Sequence, residues 1–144
     1  SFFGATEIHG GIGGNFDGYK NIHDASYSLS TDSNAAYYAG ELAAWYINNF
    51  YKPVLYITTA IWTGHGSRTG EAPQYATETK TVLACTNPVT LDYVSCKEII
   101  GPLNENLNPD NDNNTRKQIL GCLSGGIGTI MDGEYFLSSY DYSA

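Results

Sequence analysis

Positive charge is scarce in this chain. Only seven residues are Lys or Arg against fifteen Asp or Glu, which gives a net charge of −8 and a pI near 4.5. The seven are scattered, so no basic stripe can neutralise a row of phosphates, and nucleic acid is excluded as a partner. Long apolar runs are missing too. No stretch approaches the ~18 apolar residues of a membrane span, so none is expected, and no signal peptide is visible. Cysteine is limited to Cys85, Cys96 and Cys122, none of them in a CxxC pair. Zinc ribbons, thioredoxin-type redox motifs and a self-contained iron–sulfur cluster are therefore unsupported, and no metal site is expected. The plain reading is three small buried hydrophobes. A Cys96–Cys122 disulfide is the alternative if the chain is secreted.

What the chain does have is enough apolar content for a core. At 42% hydrophobic and 144 residues it reads as one domain, residues 1–144, rather than a disordered segment. The low-charge surface, rich in Tyr, Asn, Ser, Thr and Gly, points to an extracytoplasmic or secreted protein. Asn113-Asn114-Thr115 fits the N-glycosylation acceptor pattern. The start at Ser1-Phe2-Phe3, without Met, reads as a chain whose upstream sequence has been removed or is missing.

Glycine dominates residues 4–18, which reads as a shaped loop, and the polar stretch continues to Asn34 with capping candidates at Asp32 to Asn34. A helix is predicted from Ala35 to Phe50, with Tyr38, Leu42, Trp45, Tyr46 and Asn49 on one stripe. Pro53 ends it. Val54 to Trp62 is β-branched and aromatic, as in a buried strand, and Thr63 to Tyr75 is loop. Lys80 to Cys85 reads as a second strand, followed by Asn87 at an N-cap and Pro88 at the first helical position. Val89, Tyr93, Cys96 and Ile100 carry that helix to Gly101-Pro102. A short helix follows from Thr115 to Leu123, closed by glycines. Strands alternating with helices give an α/β fold: a layered sheet with flanking helices, an incomplete half of a larger α/β fold.

The segments Leu55 to Gly66 and Val82 to Asp92, the second containing Asn87-Pro88-Val89-Thr90-Leu91-Asp92, resemble the domain of unknown function number three-six-two, whose members sometimes occur in iron–sulfur proteins. In that family a strand ending in Asp-Ala-Ile leads into a glycine loop, and a later Asp-Pro-Val-Ala-Leu-Asp run opens a helix. Glu7 to Gly18 is similar to a degraded form of the family's upstream glycine stretch. The resemblance spans roughly residues 5–130 and implies the C-terminal half of a longer protein with a redox association. Thr59 stands where the family has Asp, Asn87 replaces the Asp before Pro, and Gly14 stands near an expected Lys. Those losses favour a degenerate or structural copy.

Six residues are candidates for one ligand site: His9, Asn15, Asp17, His65, Arg68 and Asn87. Backbone amides of the glycine loop could cradle an anion beside His9. His65 and Arg68 follow the first strand, where α/β sheets bind ligands, and Arg68 can grip a carboxylate or phosphate. His23-Asp24 reads as surface loop, and Asp92 as a carboxylate favoured by its helix dipole. Asp110 to Asn114 has calcium-like composition without EF-hand spacing. Cys85 reads as a core thiol at a strand end.

Two functions from different classes fit. The first is a domain binding a small-molecule or anionic ligand, its cofactor and reaction not identifiable and its status as an enzyme open. The second is a non-catalytic extracellular structural or self-assembling subunit. Its incomplete sheet would be covered by a homo-oligomer or by a missing N-terminal half.

Overall fold

The computed structural model describes residues 34–50, 52–64 and 76–130. Within them the chain forms helix α1 (Ala35–Asn49), strands β1 (Tyr56–Gly64) and β2 (Ala76–Cys85) and helix α2 (Pro88–Val94). A π-helical turn (Ser95–Ile100), a 3-10 turn (Glu105–Leu107) and helix α3 (Asn114–Ser124) follow. β1 and β2 pair as a two-stranded antiparallel sheet with helices beside it, a mixed α/β fold. The second strand begins at Ala76 rather than Lys80. Ala76-Thr77-Glu78-Thr79 alternates exposed and half-buried residues, and its threonines suit a pleated surface although the segment is polar.

The register runs from Tyr56 opposite Cys85 to Gly64 opposite Ala76. It slips once, between the Ala60–Thr81 and Trp62–Glu78 pairs, so that Thr79 and Lys80 share the place opposite Ile61. This is a β-bulge, and Lys80 takes a left-handed backbone there, with φ of 47°. The hydroxyls of Thr63 and Thr79 meet across it at 2.8 Å, while Thr79 donates to the Ala60 carbonyl.

One face of the hairpin is buried. Leu83 joins Val89, Leu91, Tyr93, Val94 and Ile119 in the core, and Tyr56 and Cys85 pack beside them. The opposite face carries Ile57 opposite Ala84 and Thr59 opposite Val82, all four exposed. Each fully buried aliphatic side chain of the core stabilises the fold by about 1.5–3 kcal/mol.

α1 packs lengthwise on α3, and here the expected stripe is corrected except at Tyr46, which is buried as expected. The buried face of α1 is Ala35, Ala39, Gly40, Ala43, Ala44, Tyr46 and Ile47, whereas Trp45 and Asn49 face outward. Small residues win because the backbones touch. A Cβ on Gly40 would strike the Gln118 carbonyl, and one on Gly121 would strike the Tyr37 carbonyl. A larger side chain has no room where either glycine meets the facing backbone. Asn34 stands at the N-cap position of α1, but its side chain makes no capping bond.

The helix expected from Pro88 to Ile100 is present in two forms. It is α to Val94 and π from Ser95, where Gly101 N–H reaches back five residues to the Cys96 carbonyl at 2.7 Å. Ser95 donates its hydroxyl to the Leu91 carbonyl at 2.6 Å, at the junction.

Candidate functional site

Of the six candidate ligand residues, His9, Asn15, Asp17, His65 and Arg68 lie outside the described residues, as does His23-Asp24. Asn87 lies within them. The sheet's direction also bears on the idea of a shared rim. In an antiparallel pair the C-terminal ends of the strands point apart. Gly64, just before His65, sits at the Ala76 end of the hairpin, while Cys85, two residues before Asn87, sits at the Tyr56 end. The two strand ends expected to meet at one rim are thus separated by the hairpin's full length.

Asn87 itself is a structural clamp. Its Oδ1 accepts from the backbone N–H of Val89 and of Thr90, each at 3.1 Å, capping α2. Its Nδ2 donates to Thr129 Oγ1 at 2.9 Å and to the Thr129 carbonyl at 3.1 Å. Thr90 donates its hydroxyl to the same carbonyl at 2.7 Å. Oxygen and nitrogen of the amide thus both have internal partners, and the side chain serves the fold. Gly128 makes the approach possible, since a Cβ there would lie 2.5 Å from Asn87 Oδ1.

The thiols are free, and the Cys96–Cys122 disulfide weighed for a secreted chain is not formed. Burial pushes Cys96 up to about 12, helped by the negative charge of Asp92, and the same two causes put Cys122 at about 12. Neither is a thiolate nucleophile near neutral pH. Cys85 packs against the core and its Sγ accepts from Asn87 N–H at 3.3 Å.

Asp92 lies beyond the first turn of α2, so the helix dipole does not account for it. Solvent reaches the residue, yet the protein around it raises its carboxyl above the usual range. Asp110 goes the other way. Tyr93 donates to its Oδ1 at 2.5 Å, Lys97 pairs with it at 3.3 Å, and these hold its carboxyl low. Lys97 also donates to the Tyr93 hydroxyl at 3.1 Å and sits over its ring. Burial first, then Asp110, raises the Tyr93 phenol, so Tyr93 is a neutral donor. The triad fastens the Asn/Asp-rich segment to α2. Asn113 caps α3, and Arg116 donates to the Pro109 carbonyl at 3.2 Å. Among the described residues no group of three or more His, Cys, Asp or Glu side chains could hold a metal.

One cleft, of about 190 Å³, opens between β1 and the π-helical turn. Thr58 and Ala60 from the inward face of β1, Thr59 from its outward face, Trp62 further along the strand, and Ser95 and Ile99 across from them line it. Because both faces of β1 contribute, the cleft lies along that strand's free edge. Its lining carries hydroxyls and hydrocarbon and no ionisable group. Sequence reasoning passed over it because threonines in a strand signal only β structure, and the wide turn opposite gives no pattern of its own.

Beside the cleft, the hairpin's outward face is apolar. Ile57 is 62% exposed and Val82 60%, with Ile61 about half exposed. No helix among the described residues is long and apolar enough to cross a membrane. Comparison with family models, with curated proteins and with solved structures finds no match.

Proposed function

We propose that this chain is a non-catalytic binding subunit, extracytoplasmic in setting, whose working surface is the outward face of the β1–β2 hairpin. The observation that carries this is Ile57, Ile61 and Val82, each at least half exposed and neighbours on the sheet face opposite the core. Single exposed apolar residues need no explanation, but a contiguous patch of this kind is characteristic of an interaction site. The chemistry of the described residues supports the same reading. Two thiols are held protonated, Tyr93 is a neutral donor, Asn87 is fully engaged, and the cleft contains no acid or base. The resemblance to the domain of unknown function number three-six-two belongs to this reading as a degenerate copy. Asn87-Pro88-Val89-Thr90-Leu91-Asp92 does open a helix after a strand, but its leading residue caps and clamps.

The test is binding of an apolar fluorescent dye by the dilute chain. Wild type is expected to bind it, and Val82→Lys to lose most of that signal with an unchanged circular dichroism spectrum. Equal dye binding by both would sink the reading.

A second reading, small-ligand binding, is favoured by the cleft. Its size and lining suit a small uncharged molecule with hydroxyl and apolar surfaces. Titration of such compounds while following tryptophan emission, in wild type and Trp62→Phe, checks it. A response that survives the substitution counts against the cleft.

A further inference from the structure

We propose that the cleft beside β1 binds a neutral sugar ring, a pyranose held through its hydroxyl groups with one flat side against Trp62. This names the ligand class for the cleft and rests on the second reading above.

Proton accounting is the first argument. Thr79 has a single hydroxyl proton and gives it to the Ala60 carbonyl, so in its 2.8 Å bond with Thr63 the donor is Thr63. Ser95 likewise gives its proton to the Leu91 carbonyl at 2.6 Å. Thr63 and Ser95 are buried and both line the cleft, and each keeps only lone pairs for an occupant. An occupant without donors leaves those oxygens unsatisfied, which is costly away from water. Thr58 and Thr59 add two hydroxyls that make no hydrogen bond among the described residues and are free to donate or accept. The cleft thus selects a molecule whose polar groups both donate and accept. Hydroxyl groups have that character.

Charge and shape narrow the class. No lining residue is ionisable and the chain carries −8, so a carboxylate or phosphate finds no counter-charge in the cleft and is repelled at a distance. Trp62 lines the cleft and is 64% exposed, which leaves indole surface open to an occupant. The face of an aromatic ring is the negative pole of its quadrupole, and it attracts the weakly positive C–H groups that a pyranose presents on its flat sides. Ile99 and Ile100 offer hydrocarbon on the opposite wall. A volume of about 190 Å³ is below the ~300 Å³ at which pockets for drug-sized ligands begin, so the room is for one ring. An open-chain polyol has the hydroxyls without the flat side, and it loses more freedom when held.

The experiment is a saturation-transfer NMR titration of the chain with the methyl pyranosides of glucose, galactose and mannose. The fully O-methylated glucoside, glucuronate and sorbitol are run beside them. At least one methyl pyranoside is expected to bind with a Kd near about 1 mM, and the O-methylated form, glucuronate and sorbitol at least about tenfold more weakly. Maltose and cellobiose separate two sources of the same ring: binding tighter than that of the methyl glucoside marks the end of a glycan, equal binding a free sugar. Thr58→Val, which keeps the shape and removes a hydroxyl, and Trp62→Ala should each weaken binding by about threefold to tenfold. Thr58→Ser should retain it, and so should Leu120→Lys on α3, with circular dichroism showing that all four variants fold. Absence of binding by every pyranoside overturns the proposal, as does binding that Thr58→Val and Trp62→Ala both leave unchanged. If the O-methylated glucoside binds as well as its parent and both depend on Trp62, the small-ligand reading stands and only the sugar falls. If no compound binds, both fall.

Discussion

Asn87 and Thr129, 42 residues apart, are joined by two hydrogen bonds from one amide group. The same side chain begins α2, so the helix start and the return of the chain after α3 depend on a single residue. The two duties are chemically separable, because the cap uses the oxygen and the clamp uses the nitrogen.

Asn87→Ala removes both and is expected to cost about 2–3 kcal/mol, a cap plus a net contribution near 1 kcal/mol from the clamp's bonds. Asn87→Asp keeps the cap and loses the donor, so it should cost roughly half as much. Urea unfolding of the three proteins measures the difference. Equal losses would mean that the clamp contributes nothing.

Neighbouring residues on β2 should answer truncation very differently. Leu83 is buried in the core while Val82 faces outward. Leu83→Ala is expected to destabilise the chain by about 2–4 kcal/mol, and Val82→Ala by no more than about 0.5 kcal/mol when measured on the monomer. A large loss at Val82 at low protein concentration would contradict the register.

The α1–α3 seam leaves no room for a methyl group. Gly121→Ala places Cβ against the Tyr37 carbonyl, which is backbone and cannot swing aside. About 1–3 kcal/mol should be lost despite alanine's better helix propensity. A melting temperature that rises would show that the helices stand further apart.

Two carboxylates of opposite tendency give stability a pH signature. Asp110 is held low by Tyr93 and Lys97, so its contribution is complete above the ordinary carboxylate pKa near 4 and disappears as pH falls through its lowered value. Its half-exposed setting limits the effect to under about 1 kcal/mol. Asp92 reaches solvent, but neighbouring protein desolvates its carboxyl enough to raise it, so its ionisation opposes folding above that raised value, and the penalty fades as pH falls from there towards the ordinary carboxylate pKa near 4. Asp92→Asn should therefore stabilise the chain at neutral pH and lose that advantage in acid, and Asp110→Asn should do the reverse. Chemical unfolding from about pH 3 to about pH 7 compares the two variants, and parallel curves would refute the assignment.

Asp92 also helps to keep two thiols protonated. Asp92→Asn should increase the reaction of Cys96 and Cys122 with a disulfide reagent at mildly alkaline pH, modestly because burial is the larger cause. Unchanged rates would leave burial as the whole explanation.

The elements that rest on local chemistry were legible in the sequence. Asn87-Pro88 announces its helix because cap and first-turn proline act within three residues, and Pro53 and Gly125 bound the elements where expected. Features that depend on distant partners were not. Tyr38, Leu42 and Trp45 have the spacing of a buried stripe, but Gly40 and Gly121 draw the helices so close that alanine and glycine take the seam. Strand direction was equally hidden. Nothing in the residues from Tyr56 to Gly64 says that their neighbour runs antiparallel, and that single fact separates the two strand ends expected to share a rim. Of the candidate ligand residues Asn87 alone lies within the described residues, and the clamp that occupies it needs Thr129, far along the chain.

The π-helical turn and the cleft are one feature seen from two sides. A helix of this type closes its hydrogen bond over one residue more than an α-helix does. Excising a single residue between Ser95 and Ile100 would let the segment rewind to ordinary α geometry and rotate the residues before the cut by about 100° relative to those after it. Ile99 and Ile100 would then swing away from β1 and the hollow would lose its far wall. The opening beside the strand is thus a matter of chain length, set by one surplus amino acid rather than by any particular side chain.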